Sequence, residues 1–427
     1  MKNQQNQTAL NVFQWFVFLL ANSIALPIVI GHVFGLSGEE ISTLMQRTFF
    51  VVGLSSFIQG KLGHRFPIVD GPAGSWVSVF VILADISITQ GQTGNQTLQT
   101  LEGGMFIAGL LLFMLGVTGL VQRLLFLFTP LVTGSFLFIL AIQLSGVFIE
   151  GMIGESVSKF PVQLEVPIIS FFVFFLVVFL STKGKGWLKS YAVLIGIGIG
   201  WLLSLLMVGK GQGIQADSSM IKVPEIFAWG FPDWNAGIIL TAIIFTFILI
   251  SNTIAAVNAM SDVIPNEAVT PSKLNRGTWA GGISHILSSA FSTIGVVPLP
   301  VSAGFVQITK QFKVLPFLIA CALLSIVSFF PAVVQSLAGL PVYVASAALM
   351  ATIIQMVGIS MQNIVKDTLD QRRLTILGVT LLIGIGLMSL PDGSFSGLPV
   401  LLQYILGNGL LVGTIIAIIL EQVWKPS

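Results

Sequence analysis

An aspartate and a tryptophan lie close together in one short stretch that breaks the apolar pattern of the chain. Residues 66–76 read FPIVDGPAGSW, so a strand-like run ends at Asp70, and Gly, Pro and Ser residues follow before Trp76. An ionisable group inside an apolar span is costly and usually functional, so Asp70 is a candidate site for a coupling proton or cation. Trp76 offers an aromatic face for stacking on a planar ligand. The adjacent Gly74 and Ser75 complete this set of candidate binding residues.

A second stretch, residues 276–310, repeats this pattern later in the chain. A helix-length segment is followed by a β-leaning run at 293–297, by the Pro-Leu-Pro sequence at 298–300, and by a short helical segment. In lipid, an unsatisfied backbone group is so costly that a span broken by proline is tolerated only inside protein or beside a cavity. A proline kink in a packed helix explains either break alone. Together, the two breaks predict a binding site near the membrane midplane, as in secondary transporters.

We expect each break to be followed by a short helix whose first N–H groups point toward the middle of the membrane. These helices start near Ala73 and Ser302. The positive end of a helix dipole favours a carbonyl-rich or anionic ligand. Each of the three candidates Ser302, Asp70 and Trp76 has an alternative role. Ser302 either donates to a ligand or caps its helix. Asp70 either binds an ion or acts as the dipole partner of its half-helix, and Trp76 either stacks on a ligand or packs.

The composition places the chain in a membrane, with lipid as its surroundings. Hydrophobic residues make up 55% of the 427 residues and charged residues 8%, whereas soluble domains carry about 25% charged residues. A net charge of +2 without a basic run predicts no nucleic-acid partner. The single cysteine, Cys321, excludes an intramolecular disulfide, and the three histidines show no metal-ligand spacing. No phosphate-binding loop or hydrolase motif occurs, so we expect neither an enzyme nor a cofactor.

Spans of roughly 20 apolar residues predict an all-α membrane protein with fourteen segments, arranged as two inverted repeats of seven. Spans three and ten contain the two breaks, and each is expected to form a short strand followed by a half-helix. An odd number of spans in each half gives the halves opposite orientations, as in alternating-access carriers. The predicted segments lie near 12–34, 44–60, 67–88, 101–121, 124–148, 162–181, 188–208, 236–258, 276–292, 296–310, 315–336, 338–360, 373–390 and 398–421.

The placement of basic residues predicts the orientation in the membrane. With the N-terminus in the cytoplasm, all but four of the 19 Lys and Arg residues fall on the cytoplasmic side. The four exceptions are Arg47, Lys159, Lys210 and Lys222. We therefore expect a multi-pass protein of the cell membrane with both termini in the cytoplasm. One histidine inside a span, His285, is a candidate proton relay, with helix packing as the alternative.

Several patches of the sequence carry a family resemblance. Within 276–310, the Arg-Gly start, the small residues at 280–282 and the glycine, threonine and lysine at 304, 309 and 310 form one ungapped pattern. Outside it, the chain has Gln-Trp at 14–15 and Ser-Asn-Thr at 251–253. These patches resemble the nucleobase/ascorbate transporter family, also called nucleobase:cation symporter-2, of uracil, xanthine and uric acid permeases.

The resemblance implies substrate contacts for Gln14, Asn252, Val301 and Ser302. Asn252 lies where many members carry a glutamate that hydrogen-bonds the base, and Val301 takes a position that is polar in the family's signature. An interhelical hydrogen bond is the alternative role for Asn252. Both carboxylates that proton-coupled members use are therefore missing, so the coupling ion, H⁺ or Na⁺, stays open.

The resemblance also implies an architecture and an activity. A core domain comprises 1–123 and 211–337, a gate domain comprises 124–210 and 338–427, and the protein forms a homodimer. The implied activity is secondary active transport of a nucleobase, a purine such as xanthine or uric acid, by motion of core against gate. An anion carrier of the sulfate-permease type shares this architecture and is the first alternative. A channel is the second, and it requires a continuous polar path.

Overall fold

The computed structural model describes residues 2–77, 79, 80, 83, 93–153, 164–209, 219–391, 394, 395 and 397–424, and almost all regular structure in them is helical. Residues 74–77, 79, 80 and 83 are also helical and form the half-helix after β1. The elements in chain order are α1 (Lys2–Val33), α2 (Gly38–Lys61), β1 (Asp70–Pro72), α3 (Gly94–Thr118), α4 (Val121–Leu124), α5 (Pro130–Ile153), α6 (Glu165–Lys183), α7 (Trp187–Ser190), α8 (Ala192–Met207), α9 (Ala236–Ser261), α10 (Pro271–Ala290), β2 (Val296–Pro298), α11 (Val301–Thr309), α12 (Val314–Val327), α13 (Pro331–Ala338), α14 (Val342–Ile364), α15 (Gln371–Met388), α16 (Val400–Leu406) and α17 (Gly409–Val423).

Eight helices in the described part of the chain are long and apolar enough to cross a membrane: α1, α2, α3, α5, α6, α9, α14 and α15. The pair α12 and α13 adds a ninth span if it is counted as one bent segment. This agrees with the expectation of a helical, multi-pass membrane protein. The end of predicted span three, 84–88, lies outside the described residues.

Several predicted segments are not continuous helices; α7 and α8, for example, divide the segment near 188–208. The segment near 315–336 consists of α12 and α13, which meet at 91°. Pro331 is the first residue of α13 and has no N–H to continue the preceding helix. The segment near 398–421 is divided at Gly407, and the side chain of Asn408 caps α17 by accepting from Leu411 N at 3.0 Å.

Side-chain caps fix the starts of the helices that surround the site. Ser37 and Glu40 form a capping box at α2, and Thr93 and Gln96 form another at α3. Each box satisfies two backbone donors that the first helical turn leaves free. Asn235 caps α9 by accepting from Ile238 N at 2.9 Å. The starts of α2, α3 and α9 are therefore fixed locally by sequence.

The helices pack in two groups, α1, α2, α3, α9, α10 and α12 in one and α5, α6, α8, α14, α15 and α17 in the other. In the first group, α3 and α10 cross at glycines, where a Cβ on Gly109 would lie 2.8 Å from the carbonyl oxygen of Gly282. In the second, Ser360 on α14 donates to the Gly134 carbonyl on α5 at 2.8 Å. Small residues and interhelical hydrogen bonds are what hold helices together in lipid.

Candidate functional site

The two broken spans meet in the interior as a two-stranded antiparallel ribbon. Asp70 pairs with Pro298, and Pro72 pairs with Val296. One further backbone hydrogen bond extends the ribbon at each end: Leu299 N donates to Val69 O at 2.8 Å, and Ala73 N donates to Gly295 O at 2.9 Å. The ribbon satisfies backbone groups that no helix could satisfy at a proline-broken point. The short strand expected in each broken span is therefore present, and the two strands are partners.

The first backbone donors of the two half-helices are bonded internally. In α11, Ser302 N donates to Leu299 O at 3.1 Å, and Ala303 N donates to Pro300 O at 3.0 Å. In the half-helix after β1, both Trp76 N and Val77 N donate to Ala73 O. The expectation that N–H groups near Ser302 are free is wrong for Ser302 and Ala303, because a tight first turn uses them.

Ser302 links the two breaks through its side chain. The residue is fully buried, and its Oγ accepts a hydrogen bond from Val69 N at 3.1 Å. This contact is neither of the two roles considered for Ser302, which were ligand donor and helix cap. The N-cap position of α11 is held by Pro300, which has no capping side chain. A serine hydroxyl that accepts one hydrogen bond still has its own hydrogen to donate.

Asp70 lies at the start of the ribbon with no exposed surface. Its Oδ2 accepts from Ser284 Oγ on α10 at 3.1 Å, and its backbone N–H donates to Ser56 Oγ on α2 at 2.9 Å. Oδ1 has no hydrogen-bond partner among the described residues. The carboxyl group is thus held from one side and is open to a proton, a cation or a ligand donor on the other.

Trp76 is a fully buried packing aromatic in this structure. Its ring centroid lies 4.6 Å from that of Phe245 on α9 and 5.9 Å from that of His285 on α10. A side chain at Gly295 would collide with the edge of the indole that carries Nε1. The indole is therefore seated directly on the backbone before β2, and its role in stacking on a ligand stays a prediction.

His285 adds an unpaired acceptor beside this tryptophan. Its Nδ1 lies 2.8 Å from the Gly281 carbonyl oxygen, so Nδ1 carries the hydrogen and Nε2 is the bare nitrogen of the neutral ring. Nε2 of His285 and Nε1 of Trp76 both lack a partner in the described part of the chain. One acceptor and one donor thus lie unsatisfied in the same cluster.

Gly74 and Ser75 lie between the ribbon and the second helix group. Ser75 is buried. A Cβ on Gly74 would lie 3.1 Å from Leu144 Cδ1 on α5. A second contact between the groups joins Phe305 on α11 to Tyr191, whose ring centroids are 6.2 Å apart. The ribbon and its half-helices are therefore closed against α5 and Tyr191 in this conformation.

Asn252 and Val301 lie in the second half of the chain, at positions where the family resemblance implies substrate contacts. Asn252 is half-buried on α9, which packs against both β2 and α11, and its amide makes no hydrogen bond to the described residues. An amide offers two donors and an acceptor without carrying charge. Val301 is half-buried as the first residue of α11 and brings only apolar surface.

Gln14 is not brought to the ribbon. Its Oε1 accepts from Nε2 of Gln311, which follows the C-terminal end of α11. The α1 residue that approaches the ribbon is Asn22, whose carbonyl oxygen would lie 3.8 Å from a Cβ on Gly71. Eight residues of helix, roughly 12 Å, separate Gln14 from Asn22.

The polar residues that surround Asp70 were not assigned to the site from sequence. Ser284 and its neighbours on α10 read as small residues for close helix packing, a role that Gly282 has. Ser284 also holds the carboxyl group of Asp70. The signal available in the sequence was the four-residue spacing of Ser284 and Ser288, which places both on one helix face.

The sequence comparisons with known proteins all point to one protein family. The sequence model of the family described as "Permease family", Xan_ur_permease, matches residues 6–393. This chain belongs to that permease family. The match confirms the resemblance to xanthine, uracil and uric acid permeases.

Individual relatives match the permease over nearly its whole length. It is 30% identical to "Putative purine permease YwdJ" of Bacillus subtilis over 97% of this chain and 96% of that one. It is 25% identical to the xanthine permease of Bacillus subtilis, covering 100% and 95%, and 25% identical to the uric acid transporter UacT of Escherichia coli, covering 96% and 84%. All three are transporters, so the permease is a membrane transporter and not an enzyme.

Solved structures show the fold at lower sequence identity. The transmembrane domain of the cyanobacterial bicarbonate transporter BicA matches with a TM-score of 0.64 and 15% identity, over 95% of this chain and 96% of that one. The structure of SLC26A9 matches with a TM-score of 0.65 and 12% identity, over 96% and 65%. The permease therefore shares the fold of these transporters.

Proposed function

We propose that this permease is a secondary active transporter of a nucleobase, a purine such as xanthine or uric acid, coupled to H⁺ or Na⁺. The observation that carries this proposal is the pairing of the two broken spans, which places Asp70 with an open carboxylate oxygen at the start of the ribbon. Broken spans that meet in the interior are the usual sites of substrate and ion in secondary carriers. The family and the names of the relatives supply the substrate class.

The chemistry of the surrounding side chains fits a planar base. A purine such as xanthine presents N–H donors and carbonyl acceptors in one plane, and Asn252 has a free amide that matches such an edge. Ser302 still has a hydroxyl hydrogen to donate. Trp76 supplies aromatic surface beside them. A few convergent polar groups in an aromatic setting are typical of small-molecule sites.

Transport would follow from motion between the two helix groups. We assign α1–α3 and α9–α13 to a core domain, and α5–α8 and α14–α17 to a gate domain, in fourteen spans that form two inverted repeats. The helix packing supports this division, since α3 packs along α10 and α14 packs along α5. Closure of the ribbon against Leu144 and Tyr191 fits an occluded conformation.

The proposal also includes the location of the protein and its orientation in the membrane. The distribution of Lys and Arg supports a cell-membrane protein with both termini in the cytoplasm. Arg47 is buried within α2 and does not lie in a loop. It is therefore left out when Lys and Arg residues in loops are compared between the two sides of the membrane. Lys159 and Lys210 lie outside the described residues. The resemblance further implies a homodimer.

Ligand-induced thermal stabilisation of the purified protein tests the substrate class. A ligand that binds the folded state raises the denaturation midpoint with its concentration. We expect xanthine or uric acid to raise it and sulfate or bicarbonate to leave it unchanged. Stabilisation by the anions alone would contradict the proposal.

An anion carrier is the second candidate, because the fold and two of the site positions are compatible with it. The bicarbonate transporter BicA and SLC26A9 share the architecture, and Asn252 and Val301 leave the site without the family's carboxylates. The sequence relatives are nevertheless permeases for purines, xanthine and uric acid by name. The stabilisation experiment separates the two candidates directly.

A further inference from the structure

A second buried carboxylate lies outside the ribbon. Glu102 is the ninth residue of α3 and has no exposed surface. Neither of its carboxylate oxygens has a hydrogen-bond partner among the described residues. Buried carboxylates are almost always paired, because an unpaired charge in a low-dielectric interior is costly. Glu102 therefore lacks a fully formed hydrogen bond, and the groups that act on it are the Ser292 hydroxyl and, at a greater distance, Arg47.

A buried arginine on α2 acts on this carboxylate from a distance. Arg47 on α2 is 3% exposed, and its guanidinium carbon lies 5.6 Å from the centre of the Trp229 ring. Glu102 acts electrostatically on Arg47, but the two are too far apart to form one of the ion pairs found in the described residues. The arginine thus compensates the carboxylate only at a distance.

These two residues surround the turn that leads from α10 into the ribbon. Ser292, next to Glu102, has a φ of 47°, and its Oγ accepts from Trp229 N at 3.3 Å. Thr293, the next residue, shares a hydrogen bond of 2.6 Å with Thr48, the neighbour of Arg47. Left-handed backbone at a non-glycine residue is uncommon and is held by its surroundings. The charge on Glu102 therefore acts at the start of β2.

The charged groups that face Glu102 are few. Arg47 comes from α2, and Glu225, in the segment before α9, acts on Arg47. The helix α9 contains no ionisable residue. On α10, Lys273 and Arg276 lie at the opposite end of the helix, and His285 bonds to Gly281. Asp233, whose backbone N–H donates to Gln99 O on α3, accepts a hydrogen bond from Trp234 N through its carboxylate. The charge on Glu102 is thus opposed mainly by its burial and is favoured by Ser292 and then by Arg47.

We propose that Glu102 is a proton-binding site, separate from Asp70, through which proton movement is coupled to transport. The carboxylate takes one proton from water on one side of the membrane and becomes a neutral acid. It returns that proton to water on the other side, so that one H⁺ crosses per cycle. In the charged state Glu102 attracts Arg47, and in the neutral state it releases Arg47 and the turn at Ser292. This inference rests on the proposed function and adds a coupling residue to it.

The test compares exchange with proton-driven accumulation in proteoliposomes. For wild type, we expect an inward gradient of one pH unit to accumulate xanthine or uric acid about tenfold if one proton moves per base. Glu102→Gln should exchange labelled for unlabelled base at about the wild-type rate, because exchange needs no net proton movement. The same variant should lose the gradient-driven accumulation and the accompanying proton uptake.

Two variants serve as controls. Glu225→Gln removes the same charge from an exposed position next to the cluster and should accumulate base as wild type does. Glu102→Asp keeps a carboxyl group and should retain accumulation with an altered pH profile. If Glu102→Gln fails to fold, the Asp variant decides, since an unaltered pH profile would overturn the inference.

The outcomes separate this inference from the proposed function. Proton-driven accumulation by Glu102→Gln would overturn the proton site while leaving base transport intact. A wild-type protein that exchanges bases but shows no accumulation driven by the proton gradient would also overturn it. If wild type neither binds nor exchanges any base, the proposed function itself fails, and the coupling role assigned to Glu102 fails with it.

Discussion

At the scale of single residues, the proposed transport depends on carboxyl and amide groups with unused hydrogen-bonding capacity. Asp70 has one oxygen bonded to Ser284 and one that is open. Asn252 has a free amide, although it lies on a helix that packs against the second half of the ribbon. Unused polar groups at depth are expensive and are kept for function more often than for stability.

Replacing Asp70 with asparagine should remove ion coupling. The amide keeps the shape of the side chain but takes up no proton and carries no charge for a cation. We expect transport by Asp70→Asn either to fail or to become insensitive to pH and to Na⁺. The measurement is base uptake across a pH series with and without Na⁺. An unchanged wild-type pH and Na⁺ dependence would remove Asp70 from coupling.

Replacing Asn252 with alanine should weaken base binding. Loss of one or two hydrogen bonds of ~1 kcal/mol each corresponds to roughly a tenfold rise in Kd. Thermal stabilisation by xanthine or uric acid, titrated with ligand, measures this change. The matched control is Asn258→Ala, which removes an exposed amide from the same helix. Equal Kd values for the two variants would rule out a direct contact of Asn252 with the base.

The sequence predicted some of these residues and missed others for identifiable reasons. Asp70 stood out because it is a charge in a proline-broken apolar stretch, and Ser302 because it begins a half-helix. Glu102 lies in an otherwise regular helix, so nothing local marked it as unpaired. Its neighbours Arg47 and Ser292 come from α2 and from the turn after α10, and only the packing brings them together. Gln14 was assigned by resemblance, and the structure bonds it to Gln311 instead of bringing it to the ribbon.

At the scale of elements, the ribbon of β1 and β2 makes the two halves of the chain depend on each other. Its pairs are fixed by backbone hydrogen bonds, so neither half-helix has its position without the other. Proline and extended residues in the sequence were enough to predict that both spans break. The pairing of the strands was not predicted, because it depends on how α2, α9 and α10 pack around them.

Removal of the Ser302 hydroxyl should loosen this ribbon. Ser302→Ala leaves Val69 N–H buried without its acceptor, at a cost of about 1–3 kcal/mol. We expect a lower denaturation midpoint in the absence of ligand, measured in detergent. Ser302→Thr keeps the hydroxyl and serves as the control, with a smaller loss. A Ser302→Ala midpoint equal to that of wild type would show that the bond to Val69 contributes no stability.

The boundaries of elements were the least predictable feature. Pro331 starts α13 after a 91° bend in what read as one apolar span. Hydropathy averages over such a span and does not register the change of direction. The bend is nevertheless explained locally. Proline is favoured at the first position of a helix, where its missing N–H is not needed, and the same missing N–H ends the preceding helix.

At the scale of the whole molecule, transport requires that the ribbon separate from α5 and Tyr191. Crosslinking the two helix groups should therefore stop it. In a Cys321→Ala background, which removes the native cysteine, Gly74→Cys and Leu144→Cys place thiols at a site where side chains meet. We expect a mercuric-ion crosslink to abolish base exchange and a reducing thiol to restore it. Mercuric ion should leave exchange by the Leu144→Cys variant alone unchanged, and exchange by the crosslinked pair would argue against relative motion here.

Composition alone was sufficient to predict a polytopic membrane protein, because 8% charged residues leave no other folded class. The resemblance already implied an architecture shared with anion carriers of the sulfate-permease type, and the structure matches the bicarbonate transporter BicA and SLC26A9 at identities of 15% and below. The substrate class is not decided by the fold, because similar folds carry different ligands and function depends on the site.

Exchange of radiolabelled xanthine or uric acid across proteoliposomes that contain only this protein tests the central claim most directly. Xanthine or uric acid preloaded inside should drive uptake of the labelled base. Excess unlabelled base outside should compete, and excess bicarbonate or sulfate should not. Exchange of a purine with this competition pattern is the predicted result. Absence of exchange for all bases, together with uptake of labelled bicarbonate or sulfate, would contradict the account and identify an anion carrier.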